Sequence, residues 1–425
     1  MKKTDEKYQA YINILKEELI PAMGCTEPIA LAYAAAVGER ELGVLPDRVV
    51  VEASGSIIKN VKSVVVPNTG HMKGIEVAAA AGIVAGNPDK ELEVIAQVTP
   101  EQVKEIQAFL DTAQIEVKHV DNGLTFDIIV TMYKGDSYSK VRIANYHTNV
   151  VHIEKDGEIR KEIPVEGESE EGLTDRSLLN MADIWDFANT VDVEDIKPVL
   201  QVQEDYNWAI AEEGMKNQYG ANVGKVLLES VGNDVATRAR AMAPAGSDAR
   251  MDGCELPVVI NSGSGNQGMT ASIPVLVYAK ELKVSEEKKF RALALSNLTA
   301  IHQKTPIGRL SAFCGAVSAG AGAGAGIAYL CGADFDTVSH TVSNALAIVS
   351  GMVCDGAKPS CAGKIATAVG AGILGYQMCI RGQRFNGGDG IVGDTVDQTI
   401  ANVGRVAKEG MKGTNETILK VMVGE

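Results

Sequence analysis

Aromatic residues are scarce in this chain, 5% of 425 residues with only two Trp. A core without bulky rings must be filled by Ala, Val, Ile and Leu. With 44 Gly beside them, that composition favours helices packed closely through small residues. Positive charge is also short: 40 Lys and Arg face 55 Asp and Glu, for a net charge of −15. A phosphate-binding protein needs a basic face, so nucleic acid and anionic membranes are excluded as main partners, and the acidity reads as solubility. No P-loop, Gly-x-Ser-x-Gly or His-Glu-x-x-His stretch occurs, and no Cys-x-x-Cys pair. The two lysines after Met1 run into an amphipathic stretch, Tyr8 to Leu19, containing Glu17 and Glu18. No uncharged signal core follows them, so a cytoplasmic location is expected. The seven Cys are odd in number and scattered. In a reducing compartment that pattern reads as metal ligation, catalysis or core packing rather than a disulfide framework.

What is present predicts an α+β fold, with a large, mostly helical Gly/Ala-rich lobe and a smaller α/β lobe. Residues 1–46 read as two helices that pack with the C-terminal lobe. Thr26 is the expected N-cap of the second, with Glu27 and Pro28 in its first turn. Residues 47–165 read as the α/β lobe. Strands are expected at Val49–Val51, Val64–Val66, Leu92–Val98, Phe126–Met132 and Val141–Ile153, and helices at Ile75–Val84 and from Thr99, where Gln102 completes a capping box. An acidic connector spans Glu166–Asp175, and 175–425 reads as helix throughout. Leu310–Ala333 carries no charge and is long enough for a bilayer. Its Gly-Ala alternation is weakly hydrophobic, and a helix buried among helices is expected there.

Several segments carry candidate chemistry. Cys354 and Cys361 bracket Asp355-Gly356-Ala357-Lys358-Pro359-Ser360, a loop composition that lets two thiolates converge on one centre. Cys314 precedes Gly315, which allows close approach of a bulky group. Three thiolates suit a [4Fe–4S] cluster with one iron left open as a Lewis acid. Zinc is the rival and would want a fourth ligand, for which Cys254 is the candidate. Cys331 and Cys379 lie in apolar helical runs and read as core thiols. Cys25 lies just before a helix N-terminus, where unpaired amides favour a thiolate base or nucleophile. A thiol merely packed under the helix start is an equal reading, and the nearby Glu27 favours it by raising the thiol pKa. Asn261-Ser262-Gly263-Ser264-Gly265-Asn266-Gln267-Gly268 is an anion site at a helix start or a plain connector. Its bare Gly-x-Gly-x-x-Gly pattern lacks the acidic residue of a dinucleotide fold, the next being Glu281. The Pro67-Asn68-Thr69-Gly70-His71-Met72-Lys73 turn is a second polar site or plain surface. His147, alone in a strand pattern, reads as structural.

Taken in order, Met23-Gly24-Cys25-Thr26-Glu27-Pro28, Pro67-Asn68-Thr69-Gly70, Gly263 to Gly268 and Cys314…Cys354-x6-Cys361 resemble the iron–sulfur L-cysteine desulfidase family, itself related to the alpha part of bacterial iron–sulfur L-serine dehydratases. The resemblance covers nearly the whole chain. It implies an oxygen-sensitive [4Fe–4S] cluster on Cys314, Cys354 and Cys361, with Cys25 as the base that removes the substrate α-proton. It implies β-elimination of L-cysteine to pyruvate, ammonia and hydrogen sulfide. The substrate carboxylate is expected at Ser262, Ser264, Asn266 and Gln267, with Thr26, Asn68 and Thr69 as further contacts. The dehydratases space their cluster cysteines differently, and single-chain forms can end in a cysteine tail. Here no Cys follows Cys379, which points to cysteine over serine. Three other readings stand beside this one: an L-serine or threonine dehydratase, a pyridoxal-phosphate lyase with Lys358 or Lys364 as Schiff base, and a metal-binding amino-acid sensor without turnover. The Gly/Ala-rich helices leave a homodimer open.

Overall fold

The computed structural model describes residues 1–167 and 172–423; residues 168–171 of the expected acidic connector lie outside the described residues. In chain order the elements are α1 (Glu6–Glu18), β1 (Pro21–Met23), α2 (Thr26–Leu42), β2 (Arg48–Ala53), α3 (Gly55–Val61), α4 (Ile75–Ala85), α5 (Pro100–Thr112), β3 (Gln114–His119), β4 (Asp127–Lys134), β5 (Ser137–Ala144), β6 (Val150–Lys155) and β7 (Glu158–Glu162). There follow α6 (Met181–Thr190), α7 (Val193–Lys216), α8 (Val223–Val231), α9 (Val235–Met251), β8 (Pro257–Val259), α10 (Gly265–Leu282), α11 (Glu286–Lys304), α12 (Gly315–Leu330), α13 (Phe335–Val349), α14 (Ser360–Cys379), α15 (Val396–Arg405) and α16 (Lys412–Val423). The fold is α+β with a large helical part, as the composition implied.

One six-stranded sheet runs β3-β2-β4-β5-β6-β7, with β2 and β3 parallel and the other pairs antiparallel. Its alternating Val and Ile residues turn one face to α2 and α4, so α2 covers the sheet. By contrast α1 lies against α7 and α11, and Tyr8 and Tyr11 meet Phe187 edge to face. The two N-terminal helices are therefore shared between the sheet and the helical part.

Two expected strands, Val64–Val66 and Leu92–Val98, are absent, and a helix stands before the first. Gly55–Val61 is helix, because Ser54 caps it with its side chain on the amide of Ile57. Val64–Val66 follows as buried extended chain whose single bridge joins Val65 to Lys73. Pro88–Glu93 is a 3-10 turn started by Asn87 and Pro88, so Leu92, Val94 and Ile95 are buried without a strand partner. In the helical half, β8 pairs antiparallel with β1, Pro21 opposite Val259 and Met23 opposite Pro257. This small ladder ties the Cys25 segment to the Ser262 loop. The capping box of Thr99 and Gln102 forms as expected.

The helical part is built around α12, whose residues are almost all buried. Its glycines admit neighbouring backbones. A Cβ on Gly320 would lie 2.5 Å from the Ala368 backbone and one on Gly324 2.9 Å from Gly372. Residue 320 thus faces 368 and 324 faces 372, so α12 and α14 run parallel in register. On the same reading α10 is parallel to α12, with Gly315 against Gln267 and Gly326 against Val275. No helix of the described residues is long and apolar enough to cross a membrane, and the uncharged run at 310–333 is the buried α12.

Glu18, at the end of α1, is buried and ion-paired with Arg176 (2.7 Å) and Arg309 (2.8 Å). Burial opposes its charge, but the two guanidiniums hold its carboxyl below the usual range. Removing it takes from both guanidiniums the buried carboxylate that they share. Glu18→Ala should lower the unfolding free energy by about 3 kcal/mol in chemical denaturation, and a loss below about 1 kcal/mol would show that the cluster is not a buried ion network.

Candidate active site

The ends of four helices meet at one cavity of about 720 Å³, counting the space that opens to solvent. Cys25 is the N-cap of α2, Ser264 of α10 and Cys314 of α12, and Cys361 lies in the first turn of α14. All four line the cavity, with Cys354, Glu27, Asn60, Arg250, Ser262, Asn266, Gln267, Lys304 and Arg309. The positive ends of these helices face it, which favours anions and thiolates.

The parallel register of α12 and α14 brings Cys314 level with the start of α14, beside Cys361. Cys354 reaches them through an isolated antiparallel bridge between Phe313 and Val353. There the Cys314 amide donates to Met352 O (2.9 Å) and the Cys354 amide to Ala312 O (2.6 Å). Lysines fix the loop between Cys354 and Cys361. Lys358 and Lys364 both pair with Asp355, Lys364 Nζ also donates to Val353 O (2.9 Å), and Lys59 Nζ reaches Cys354 O (3.3 Å). Burial favours a neutral Lys364, but the Asp355 carboxylate outweighs it and raises the pKa. A charged, ion-paired amine is a poor Schiff-base nucleophile.

Among the described residues, no three His, Cys, Asp or Glu side chains stand close enough to hold a single metal ion. A cubane spreads its irons over eight core atoms and keeps its ligands farther apart. Three thiols around one cavity, with the charge of Cys354 felt at both Cys314 and Cys361, fit that group. The other cysteines stand apart. Cys254 is buried beside Tyr219, and Cys379 accepts from Asn344 and Thr341. Cys331, expected as a core thiol, is exposed at the C-cap of α12, where the Ala-Gly run has ended.

The helix start does not leave Cys25 ionised. Its Sγ donates to Glu27 Oε2 (3.0 Å), and burial followed by the Glu27 charge pushes the thiol well above its ordinary range. Over a single turn, a buried carboxylate outweighs the helix end. Burial also opposes charge on Glu27, yet His147 and the Cys25 hydrogen bond hold its carboxyl below the usual range. His147 itself is pushed down to about 4 by burial against the pull of Glu27. It is neutral near pH 7, so hydrogen bonds from Cys25 and from Asn60 Nδ2 (3.0 Å) carry the larger share. Gly24 sits at φ +59°, and a Cβ there would lie 2.1 Å from Pro67. Arg250 Nε donates to its carbonyl (2.7 Å).

The Pro67 turn thus stands behind Cys25. Asn68 donates to Ile95 O (2.9 Å) and Thr69 to Val66 O (2.7 Å), and neither lines the cavity. Thr26 donates to Gly263 O (2.8 Å), locking the α2 start to the serine loop. Ser262 and Ser264 do line the cavity. Ser264 caps α10 on the Gln267 amide, and Ser262 bonds Asn261. Gly315 leaves room for a side chain of this chain: a Cβ there would lie 2.4 Å from the Gln267 amide group. Burial pushes Lys304 down to about 8 against the charges of Cys354 and Cys314, and among the described residues its Nζ forms no hydrogen bond. Lys304, Arg250, Asn60 and Arg309 carried no sequence signal, since each reads as an ordinary helix-end or loop polar residue.

The family profile of the serine dehydratase alpha chain matches residues 89–420. The chain belongs to the serine dehydratase alpha chain family. The match takes in Cys314, Cys354 and Cys361 and the serine loop. Cys25, Glu27 and Asn60 precede it, but full-length relatives cover that part. A UPF0597 protein of Desulfitobacterium hafniense is 60% identical over 100% of this chain and 99% of its own length. A second, of Lachnoclostridium phytofermentans, is 52% identical over 98% of this chain and 100% of its own, and one from Treponema denticola is 48% identical over 98% of each.

Gly315→Ala should force Gln267 out of place and cost about 1–3 kcal/mol of stability. An unchanged thermal midpoint would mean that the contact is loose.

Proposed function

We propose that this member of the serine dehydratase alpha chain family is an L-cysteine desulfidase. It converts L-cysteine and water to pyruvate, ammonia and hydrogen sulfide. The observation that supports it most is that Cys25 and the three cysteines, from separate parts of the chain, line one cavity. Cys314, Cys354 and Cys361 would hold a [4Fe–4S] cluster, which when bound supplies an iron with an open position to polarise the substrate as a Lewis acid. The residues of the chain do the rest. Lys304 and Arg309 face the substrate carboxylate beside Ser262. Glu27 takes the proton of Cys25, and Cys25 Sγ then removes the substrate α-proton. The electron pair of that C–H bond forms the C=C bond as the C–S bond breaks, and the leaving hydrosulfide takes the proton held by Glu27 and departs as hydrogen sulfide. The resulting aminoacrylate tautomerises to the imine, and water hydrolyses it to pyruvate and ammonia. Thr26, Asn68 and Thr69 hold the walls of the site rather than the substrate.

L-Serine is the second candidate substrate, favoured by the family's own description. There the same α-proton removal expels hydroxide. Pyruvate release from the two amino acids, measured on anaerobically reconstituted protein, decides between them.

Cys25→Ser should cut pyruvate formation by about 10²–10⁴-fold while the visible absorption of the reconstituted protein persists. Turnover at the wild-type rate would remove Cys25 from the chemistry. Cys361→Ala should lose both colour and activity, and a variant that keeps its colour would show that Cys361 is no ligand.

A further inference from the structure

Three residues that line the cavity each carry a buried side-chain oxygen without a hydrogen-bond partner: Asn60 Oδ1, Asn266 Oδ1 and Gln267 Oε1. A buried carbonyl oxygen left unmade costs free energy, and natural structures keep few of them. Three around one cavity describe a ligand rich in donors. The orientation of Asn60 is set from behind, because its Nδ2 donates to Glu27 Oε1 (3.0 Å) and turns Oδ1 away from that carboxylate. Gln267 is 5% exposed and its amide occupies the space that Gly315 leaves open. Asn266 Nδ2 lies 3.8 Å from Met251 Sδ. The Glu27 carboxylate supplies negative charge to the lining, and Arg250, Lys304 and Arg309 supply positive charge.

We infer that Asn60 Oδ1, Asn266 Oδ1 and Gln267 Oε1 form a subsite for a primary ammonium group, so the cavity takes α-amino acids and rejects the matching α-hydroxy acids. An ammonium carries three N–H donors and no acceptor. A hydroxyl brings one donor and no charge, and leaves oxygens unmet. The inference rests on the reading of the cavity as an amino-acid site and adds which end of the amino acid is recognised, and by what. It also moves Asn266 and Gln267 from the carboxylate to the amino group.

The test is calorimetric binding to the anaerobically reconstituted full-length protein. L-Alanine has no β-leaving group and L-lactate replaces its ammonium by hydroxyl, so neither is turned over by elimination. L-Alanine should bind at least about a hundredfold more tightly than L-lactate. Gln267→Met removes one oxygen at similar volume and should narrow that ratio by about tenfold, with L-lactate binding unchanged. If that variant does not fold, Asn266→Leu reports on a second oxygen with the same expectation. Affinities for the two ligands within about threefold, no binding of L-alanine, or equal loss of both ligands in the variant would overturn the inference. So would competitive displacement of L-alanine by potassium chloride but not by choline chloride, which would make the oxygens a metal-cation site. A protein that makes no pyruvate from cysteine yet prefers L-alanine would sink the desulfidase reading and leave the subsite standing. A desulfidase indifferent to the exchange would do the reverse.

Discussion

The parallel contact of α12 with α14 is the constraint on which the site depends. Gly320 and Gly324 let the Ala368 and Gly372 backbones approach to distances that no side chain would permit. Two helices this close cannot slide without creating voids or clashes. Their register is therefore rigid, and it sets the N-cap of one beside the first turn of the other. Cys314 and Cys361 become neighbours because of small residues well inside the helices, not because of their own surroundings. The Phe313–Val353 bridge then has only one loop left to position, the one that carries Cys354.

The same geometry shapes the electrostatics. With α10 parallel to α12, and the start of α2 tied in by the β1–β8 ladder, several helix N-termini point into one space. Converging positive ends suit a cofactor and a substrate that both carry negative charge. The lysines around Cys354 add to this, as does Lys304, buried in the cavity wall. Against that background Glu27 is the exception, a buried carboxylate kept ionised by hydrogen bonds. Its place beside Cys25 gives the thiol an acceptor for its proton.

Cys25 shows where local reasoning stops. A cysteine before a helix invites the conclusion that the dipole ionises it, and Glu27 two residues on invites the conclusion that the thiol is idle. The structure joins both observations differently: the thiol keeps its proton and donates it in a hydrogen bond to Glu27. What matters is burial, which strengthens the interaction of the pair and weakens the dipole's claim. Asn68 and Thr69 are the converse case. Their turn looks like a ligand site because it is polar, but its polar groups serve the backbone behind Gly24.

From its sequence alone the chain determined its class and its family likeness. Helical periodicity, caps such as Thr99 with Gln102, and the Gly-Ala run of α12 are local signals, carried by propensity and hydrogen bonds within a few residues. The loop character of 354–361 belongs with them. Strand assignments at 64–66 and 92–98 failed because β-branched runs fill a core as readily as they pair in a sheet, and only a partner strand distinguishes the two. Which thiols share a cavity, that α2 covers the sheet while α1 joins the helices, and that Asn60, Lys304 and Arg250 face the site were decided by tertiary packing alone. The physical reason is that burial, charge pairing and close helix contact are properties of residues brought together from distant parts of the chain, and no window of neighbouring residues contains them.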